Sequence, residues 1–293
     1  MKKELQNHLS KQIADSMQSD FSVQSIEPVY GGDINQAYSI SGQKQKFFVK
    51  LNSSSRFDMF EAEAKGLKQI EDSHTIKVPN FISCGVFENH SFLILEWLNI
   101  SKSGDMADVA VSLAKMHKTT SKNFGFASDN FIGSTPQINQ WKSNWIDFFA
   151  ENRLKPQLQW LKEKGVAGRI QNSINELTSQ LDRFFIDYNP EPSLIHGDLW
   201  QGNYGFNLDG IPVIYDPACY YGDFEADLAM MELFGNPGEL FFSEYNKHNP
   251  NDEGYAVRKN IYNLYHLLNH ANLFGSSYLT QIEMSANRLL KIF

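Results

Sequence analysis

The chain has 293 residues, of which 42% are hydrophobic, 20% charged and 13% aromatic, and its net charge is −8. That is ordinary globular composition, in a chain long enough for one large domain or two lobes sharing a cleft. An acidic chain without a Lys/Arg-rich run lacks the basic footprint that neutralises nucleic-acid phosphates, so no nucleic-acid partner is expected, whereas a small anionic ligand needs only one or two local cations or a metal.

Residues 2 to 18 place Leu5, Leu9, Ile13 and Met17 at four-residue steps, one face of an amphipathic helix. No apolar run follows the basic start, so no signal peptide is expected. "SIEPVYGGDINQAYSISGQKQKFFVKLN" then predicts two or three antiparallel strands with turns at Gly31-Gly32 and near Gly42. "RFDMFEAEAKGLKQIED" repeats Phe60, Ala64, Leu67 and Ile70 at helical spacing. "VPNFISCGVFENHSFLILEWL" returns to strands, with a turn at Asn89-His90. From residue 104 helices dominate: "DMADVAVSLAKMHK", then longer helices over 139–163 and 166–188, then helices from about 223 to the end. The expected architecture is α+β and two-lobed. An antiparallel sheet lobe (1–98) precedes a mainly helical lobe (99–293), and "LNISKSG" reads as the linker.

Cys84 and Cys219 form neither a CxxC nor a zinc-ligand spacing, which fits a reducing compartment. No apolar run approaches the length of a membrane span, and the chain reads as cytoplasmic.

The chemistry concentrates in "LIHGDLWQGNYGF" and "PVIYDPACYYGDFEADL". A hairpin turning at Asp209-Gly210 would bring Asp198, Asn203 and Asp216 to one end of it. Two carboxylates and an amide oxygen are hard ligands that suit Mg²⁺, with one Asp left to accept a proton from an attacking hydroxyl. Phosphoryl transfer divides its labour in this way. His196-Gly197-Asp198 with Asn203 five residues on, then Asp216, keeps the Asp-to-Asn step of the protein-kinase pattern but not its middle residue or its metal triplet. Lys50 lies in "FFVKL", an otherwise uncharged strand run, and needs a carboxylate partner. Glu63 shares the inward face of the next helix, and Glu61 is the second choice. Gly31-Gly32 could offer backbone N–H groups to phosphates. The carbonyl of Glu96 and the amide of Leu98, in "FLILEWL", stand where a hinge would meet an adenine edge.

These stretches, with "FFVKLN", "FEAEAKGL" and the block from 124 to 158, resemble the fructosamine/ketosamine kinases, a branch of the aminoglycoside-phosphotransferase-like small-molecule kinases. The resemblance spans nearly the whole chain. It implies a kinase-like fold, ATP with Mg²⁺, and phosphorylation of a sugar hydroxyl of a ketosamine, typically O3, in support of deglycation. The acceptor would be a small ketosamine or a glycated protein. Carried over, Asp198 is the base, Asn203 and Asp216 hold Mg²⁺, Lys50 grips phosphates and Glu63 orients Lys50. Asp33 departs from the family pattern, since a carboxylate there would repel phosphates.

Around this set, Trp200 either stacks on a sugar or fills the core. Asp223 and Glu225 either meet a cationic substrate at the cleft mouth or begin a solvated helix. His196 is expected to bond backbone, and Asp227 to anchor the catalytic loop by accepting N–H bonds. Two other readings are a kinase of the same fold acting on another small alcohol, such as an aminoglycoside or choline, and a nucleotide-binding module without turnover. The second conflicts with the presence of base, metal ligands and lysine together.

Overall fold

Leu5, Leu9 and Ile13 are buried on one side of helix α1 (Lys3–Met17), as their spacing predicts. They lie against an antiparallel sheet of β1 (Ser25–Val29), β2 (Gln36–Ser41), β3 (Lys46–Ser53), β4 (Phe81–Phe87) and β5 (His90–Glu96), in the order β1-β2-β3-β5-β4. Successive strand residues face opposite sides. Phe47, Val49, Leu51, Phe92 and Ile94 therefore join the α1 residues in one apolar cluster. Leu93 and Leu95 face the other way, toward Phe60, Leu67 and Ile70 of α2 (Phe57–Asp72). Burying each such side chain contributes about 1.5–3 kcal/mol. The computed structural model describes residues 1–31 and 34–293, so half of the expected Gly31-Gly32 turn, and Asp33, lie outside the described residues. The β4–β5 turn falls on Glu88 and Asn89, one residue earlier than expected, and Glu88 takes a φ of 51° there.

The chain between the sheet and the helices is not a free linker. Ser101 exchanges two backbone hydrogen bonds with Phe206, each 2.8 Å. Helix α3 (Met106–His117) follows, capped by Asp105, which accepts from the Ala107 N–H. A small hairpin, β6 (Asn130–Ile132) and β7 (Thr135–Gln137), interrupts the region read as helical. The helix expected over 139–163 begins later, at the Asn144 cap. It runs through α4 (Trp145–Phe149), a π-helical segment (Ala150–Leu154) and α5 (Lys155–Glu163). The helix expected over 166–188 is shorter, α6 (Arg169–Ser179), with a 3-10 turn over Leu181–Phe184.

Four three-residue strands carry the sequence of interest: β8 (Ser193–Ile195), β9 (Tyr204–Phe206), β10 (Pro212–Ile214) and β11 (Tyr220–Gly222). They pair as β9–β10 and β8–β11. Helices α7 (Glu225–Leu233), α8 (Glu239–His248), α9 (Tyr255–Phe274) and α10 (Leu279–Leu289) complete the chain. The larger apolar core runs from α2 through these helices to Leu289, so α2 belongs to both lobes and ties the sheet to the helical half. No helix among the described residues is long and apolar enough to cross a membrane.

Candidate active site

Lys50 alternates with Val49 and Leu51 on β3, so its side chain leaves the sheet on the face that α2 covers. Its ammonium donates to Glu63 at 2.8 Å and to Asp216 at 2.5 Å, and the lysine is almost wholly buried. Burial works against the charge on Lys50. Asp216 and then Glu63 outweigh it, and the net shift is upward, so the ammonium form persists. Burial pushes Glu63 up to about 7, against the pull of Lys50. Glu61 is exposed on the helix's outer side.

The second half of the site is the loop between β8 and β9. His196 and Gly197 donate their backbone N–H groups to the two carboxylate oxygens of Asp227 on α7, at 2.7 and 2.8 Å. His117, at the end of α3, faces the same carboxylate at 3.2 Å and bonds the Tyr245 hydroxyl through Nδ1 at 2.6 Å. Burial alone would raise the Asp227 pKa, but these donors hold it below its ordinary value. Inside the loop the Asp198 N–H donates to His196 Nδ1 at 3.2 Å, so Nε2 carries the proton and donates to the Tyr215 carbonyl at 3.0 Å. Burial lowers the His196 pKa in keeping with that neutral form. Gly197 has a φ of 81°, and a Cβ there would stand 2.2 Å from the Ala218 carbonyl oxygen, so the loop requires glycine.

Asn203 turns its amide nitrogen toward Asp198, donating to the backbone oxygen at 2.9 Å and to Oδ2 at 3.2 Å. The Asn203 backbone carbonyl accepts from the Tyr215 N–H at 3.0 Å, which sets Asn203 beside the strand end that delivers Asp216. The hairpin with Asp209 and Gly210 in its turn thus gathers Asp198, Asn203 and Asp216, as their spacing suggested. Desolvation, followed by the Asp216 charge, raises the Asp198 carboxyl well above its usual range. Asp216 itself adopts a φ of 58°, a left-handed conformation uncommon for a non-glycine residue.

That backbone is held from behind by the block from 124 to 158. Asn130 donates to the Cys219 carbonyl at 2.8 Å and Gln137 to the Ala218 carbonyl at 2.9 Å. Gln137 also reaches Asn130 and accepts from the Tyr265 hydroxyl. Asn139 links Asn130 to Arg153, which is fully buried with its guanidinium 3.9 Å from the Tyr220 ring centre. Beneath the other end of the loop, Lys102 donates to the carbonyls of Gln201 and Tyr204 at 2.7 and 2.6 Å. None of Lys102, Asn130, Gln137, Asn139 or Arg153 stood out as a site residue in the sequence. Polar amides set among apolar residues were the available signal, since buried amides must bond something.

Lys50, Glu63, Asp198, Asn203 and Asp216 line one cleft of about 620 Å³, together with Gly31, Glu96, Leu98 and Trp200. Gly32 lies outside the described residues. Trp200 is half-buried and packs closely over Gly202, where a Cβ would come within 2.2 Å of the indole. Asp223 requires correction. It is fully buried away from the cleft, accepting from the Tyr188 and Tyr262 hydroxyls at 2.9 and 2.5 Å and from the Glu225 N–H at 3.0 Å. Its lone pairs are committed, so it does not receive a substrate. Glu225 is likewise buried and pairs with Arg258 through two hydrogen bonds of 2.7 and 2.8 Å. Neither begins a solvated helix.

Among the described residues no three His, Cys, Asp or Glu side chains cluster as a self-sufficient metal site. Asn203 and Asp216 offer an amide and a carboxylate oxygen. So few hard donors suit Mg²⁺, which is usually held by one or two carboxylates plus waters and substrate phosphates.

A model of the family described as fructosamine kinase matches residues 5–292. A probable ketoamine kinase from Vibrio parahaemolyticus is 40% identical over 286 residues, covering 96% of this chain and 98% of the relative. The chloroplastic protein-ribulosamine 3-kinase of Arabidopsis thaliana is 44% identical over 257 residues, 86% of this chain and 78% of that protein. The crystal structure of a putative fructosamine-3-kinase from Haemophilus somnus superposes with a TM-score of 0.88 at 34% identity, over 96% of both chains. A thermostable mutant of the aminoglycoside phosphotransferase APH(4)-Ia, in ternary complex with ADP and hygromycin B, shares the fold at 16% identity, with a TM-score of 0.66 over 97% of this chain and 98% of that one. This chain belongs to the fructosamine kinase family, whose members are ATP-dependent phosphotransferases.

Proposed function

We propose that the protein transfers the γ-phosphoryl group of ATP to a sugar hydroxyl, O3, of a ketosamine, in the cytoplasm and in support of deglycation. The observation that carries this reading is the convergence of Lys50, Glu63, Asp198, Asn203 and Asp216 on one cleft. Relatives named for ketoamines and ribulosamines support the substrate class. The nucleotide-binding lobe is taken as residues 1–98 and the catalytic lobe as 99–293.

Each residue has a role that its surroundings favour. Lys50, kept charged by two carboxylates, binds the α/β phosphates, and Glu63 holds it in place. Asn203 and Asp216 would hold Mg²⁺, which supplies charge neutralisation on the phosphates when bound. Asp198, with its raised proton affinity, accepts the hydroxyl proton as the acceptor oxygen attacks. The Asn203 amide donates to Asp198 and aims its carboxylate. Glu96 and Leu98 present backbone groups to the adenine edge, Gly31 lies by the phosphates, and the Trp200 indole stacks on the sugar.

A substrate panel with phosphate-position analysis tests the reading. Fructosyl- and ribulosyl-amines, free and protein-bound, are offered beside an aminoglycoside and choline. Phosphate on O3 of a ketosamine is the expected product. Turnover of only the competitors, or ATP binding with no acceptor phosphorylated, would overturn it.

A further inference from the structure

A second cavity of about 480 Å³ adjoins the cleft and shares Ile34, Met59, Leu273 and Phe274 with it. Its remaining walls are Asn52, Arg56 and Ser134. Asn52 is already spent, since its amide nitrogen donates to the Ile34 carbonyl at 3.3 Å and to Asn35 Oδ1 at 2.7 Å. Among the described residues, the polar groups left to face a ligand are the Arg56 guanidinium and the Ser134 hydroxyl. Among the described residues lining the two cavities, Lys50 and Arg56 are the only lysine or arginine side chains, and Lys50 is assigned above to the nucleotide phosphates. Arg56 precedes the first residue of α2, so the partial positive charge of a 16-residue helix adds to its own.

The remaining walls select against other occupants. Ile34, Met59, Leu273 and Phe274 are apolar and suit the carbon atoms of a short amine substituent, not a second sugar or a polycation. A guanidinium and a hydroxyl lining one cavity match a planar carboxylate.

We propose that this cavity takes the amine-side substituent of the acceptor, and that Arg56 pairs with a carboxylate on it. The inference rests on the ketosamine reading above and narrows it to small glycated amino acids carrying a free carboxylate. A glycated lysine inside a protein has its carboxylate locked in a peptide bond and gains nothing from Arg56.

The test compares two acceptors with the same sugar, the adduct of glycine and the adduct of ethanolamine, in which a hydroxymethyl group replaces the carboxylate. In wild type, kcat/KM for the glycine adduct should exceed that for the ethanolamine adduct about tenfold, an ordinary gain for a partly exposed charge pair. Arg56→Gln should bring the ratio near one, chiefly through KM for the glycine adduct, and Arg56→Lys should keep part of the preference. A wild-type ratio of one, or a ratio unchanged in Arg56→Gln, overturns the proposal. So does an equal loss on both acceptors with a higher KM for ATP, which would assign Arg56 to the nucleotide. If both adducts are phosphorylated equally well, the ketosamine reading stands and this inference alone falls. If neither is phosphorylated, the parent reading fails and takes the inference with it.

Discussion

The two halves of the site are held by different means. Lys50 and Glu63 sit on a regular strand and a regular helix, where alternation and helical spacing bring them to 2.8 Å. Asp198, Asn203 and Asp216 sit on irregular loops between three-residue strands, held by side chains from α3, α7, α9 and the β6–β7 hairpin. Regular backbone satisfies its own hydrogen bonds, so that half needs only apolar packing behind it. Loop backbone must find partners elsewhere, and each is a buried polar group that is costly to lose. The contrast predicts different failures: substitutions in the first half should impair function and spare the fold, whereas those behind the second half should damage both.

The largest effect expected falls on the reacting carboxylate. Asp198→Asn should lower kcat by about 10²–10⁴ while leaving ATP binding nearly intact, as read by turnover and by calorimetry. A comparable loss of nucleotide affinity would remove Asp198 from the role of base. On the regular side, Lys50→Ala should cost about 10²–10³ in kcat, with a much smaller change in adenine binding and a smaller loss of stability than Asp227→Ala, because Glu63 can take up a proton once its partner is gone. If transfer and nucleotide binding decline together, Lys50 does not act chiefly on the phosphates.

On the irregular side, Asp227→Ala strands two loop N–H groups and His117. It should cost about 3–5 kcal/mol of stability and most of the activity, measured by denaturant unfolding and assay. Gln137→Leu, which leaves the Ala218 carbonyl and Tyr265 hydroxyl without this partner, should cost about 1–3 kcal/mol. If either variant keeps full stability, loop support does not come from these bonds.

The effect of pH falls on stability. Burial lowers the His266 pKa from 6.5 to about 3. Between those values the unfolded chain binds a proton that the folded chain refuses, so stability present at neutral pH is lost as the solution is acidified. By pH 5 this amounts to about 2 kcal/mol. His196, also lowered by burial, acts in the same direction. Melting temperatures at pH 7.5 and 5 should show the loss, and His266→Gln should show less of it. An equally steep acid limb in the variant would contradict this account.

Legibility in the sequence followed the same division. Helices α1, α2 and α3 could be read from periodicity because each buries one face, and the strands from short β-prone runs broken by glycine and polar pairs. The hairpin that gathers Asp198, Asn203 and Asp216 could be read from its turn residues and spacing. The β6–β7 hairpin could not, because three-residue strands carry too few positions to show a period. Asp223 and Glu225 resembled a solvated helix start because a carboxylate's partners are invisible when they lie tens of residues away, as Tyr188, Tyr262 and Arg258 do.

Residue order and spacing alone therefore determined the lobes, the strand that carries Lys50, the helix face that carries Glu63, and the short loop joining Asp198 to Asn203. These depend on local geometry, repeated every two or every 3.6 residues. The role of Asp227 as anchor of the loop was also legible, and the structure bears it out; only the tertiary structure decided that Asp216 shares the Lys50 ammonium, that Gln137 holds the Ala218 carbonyl, and that Asp223 is structural. Those outcomes depend on which buried donor meets which acceptor across the fold, a pairing that burial enforces and no local spacing encodes.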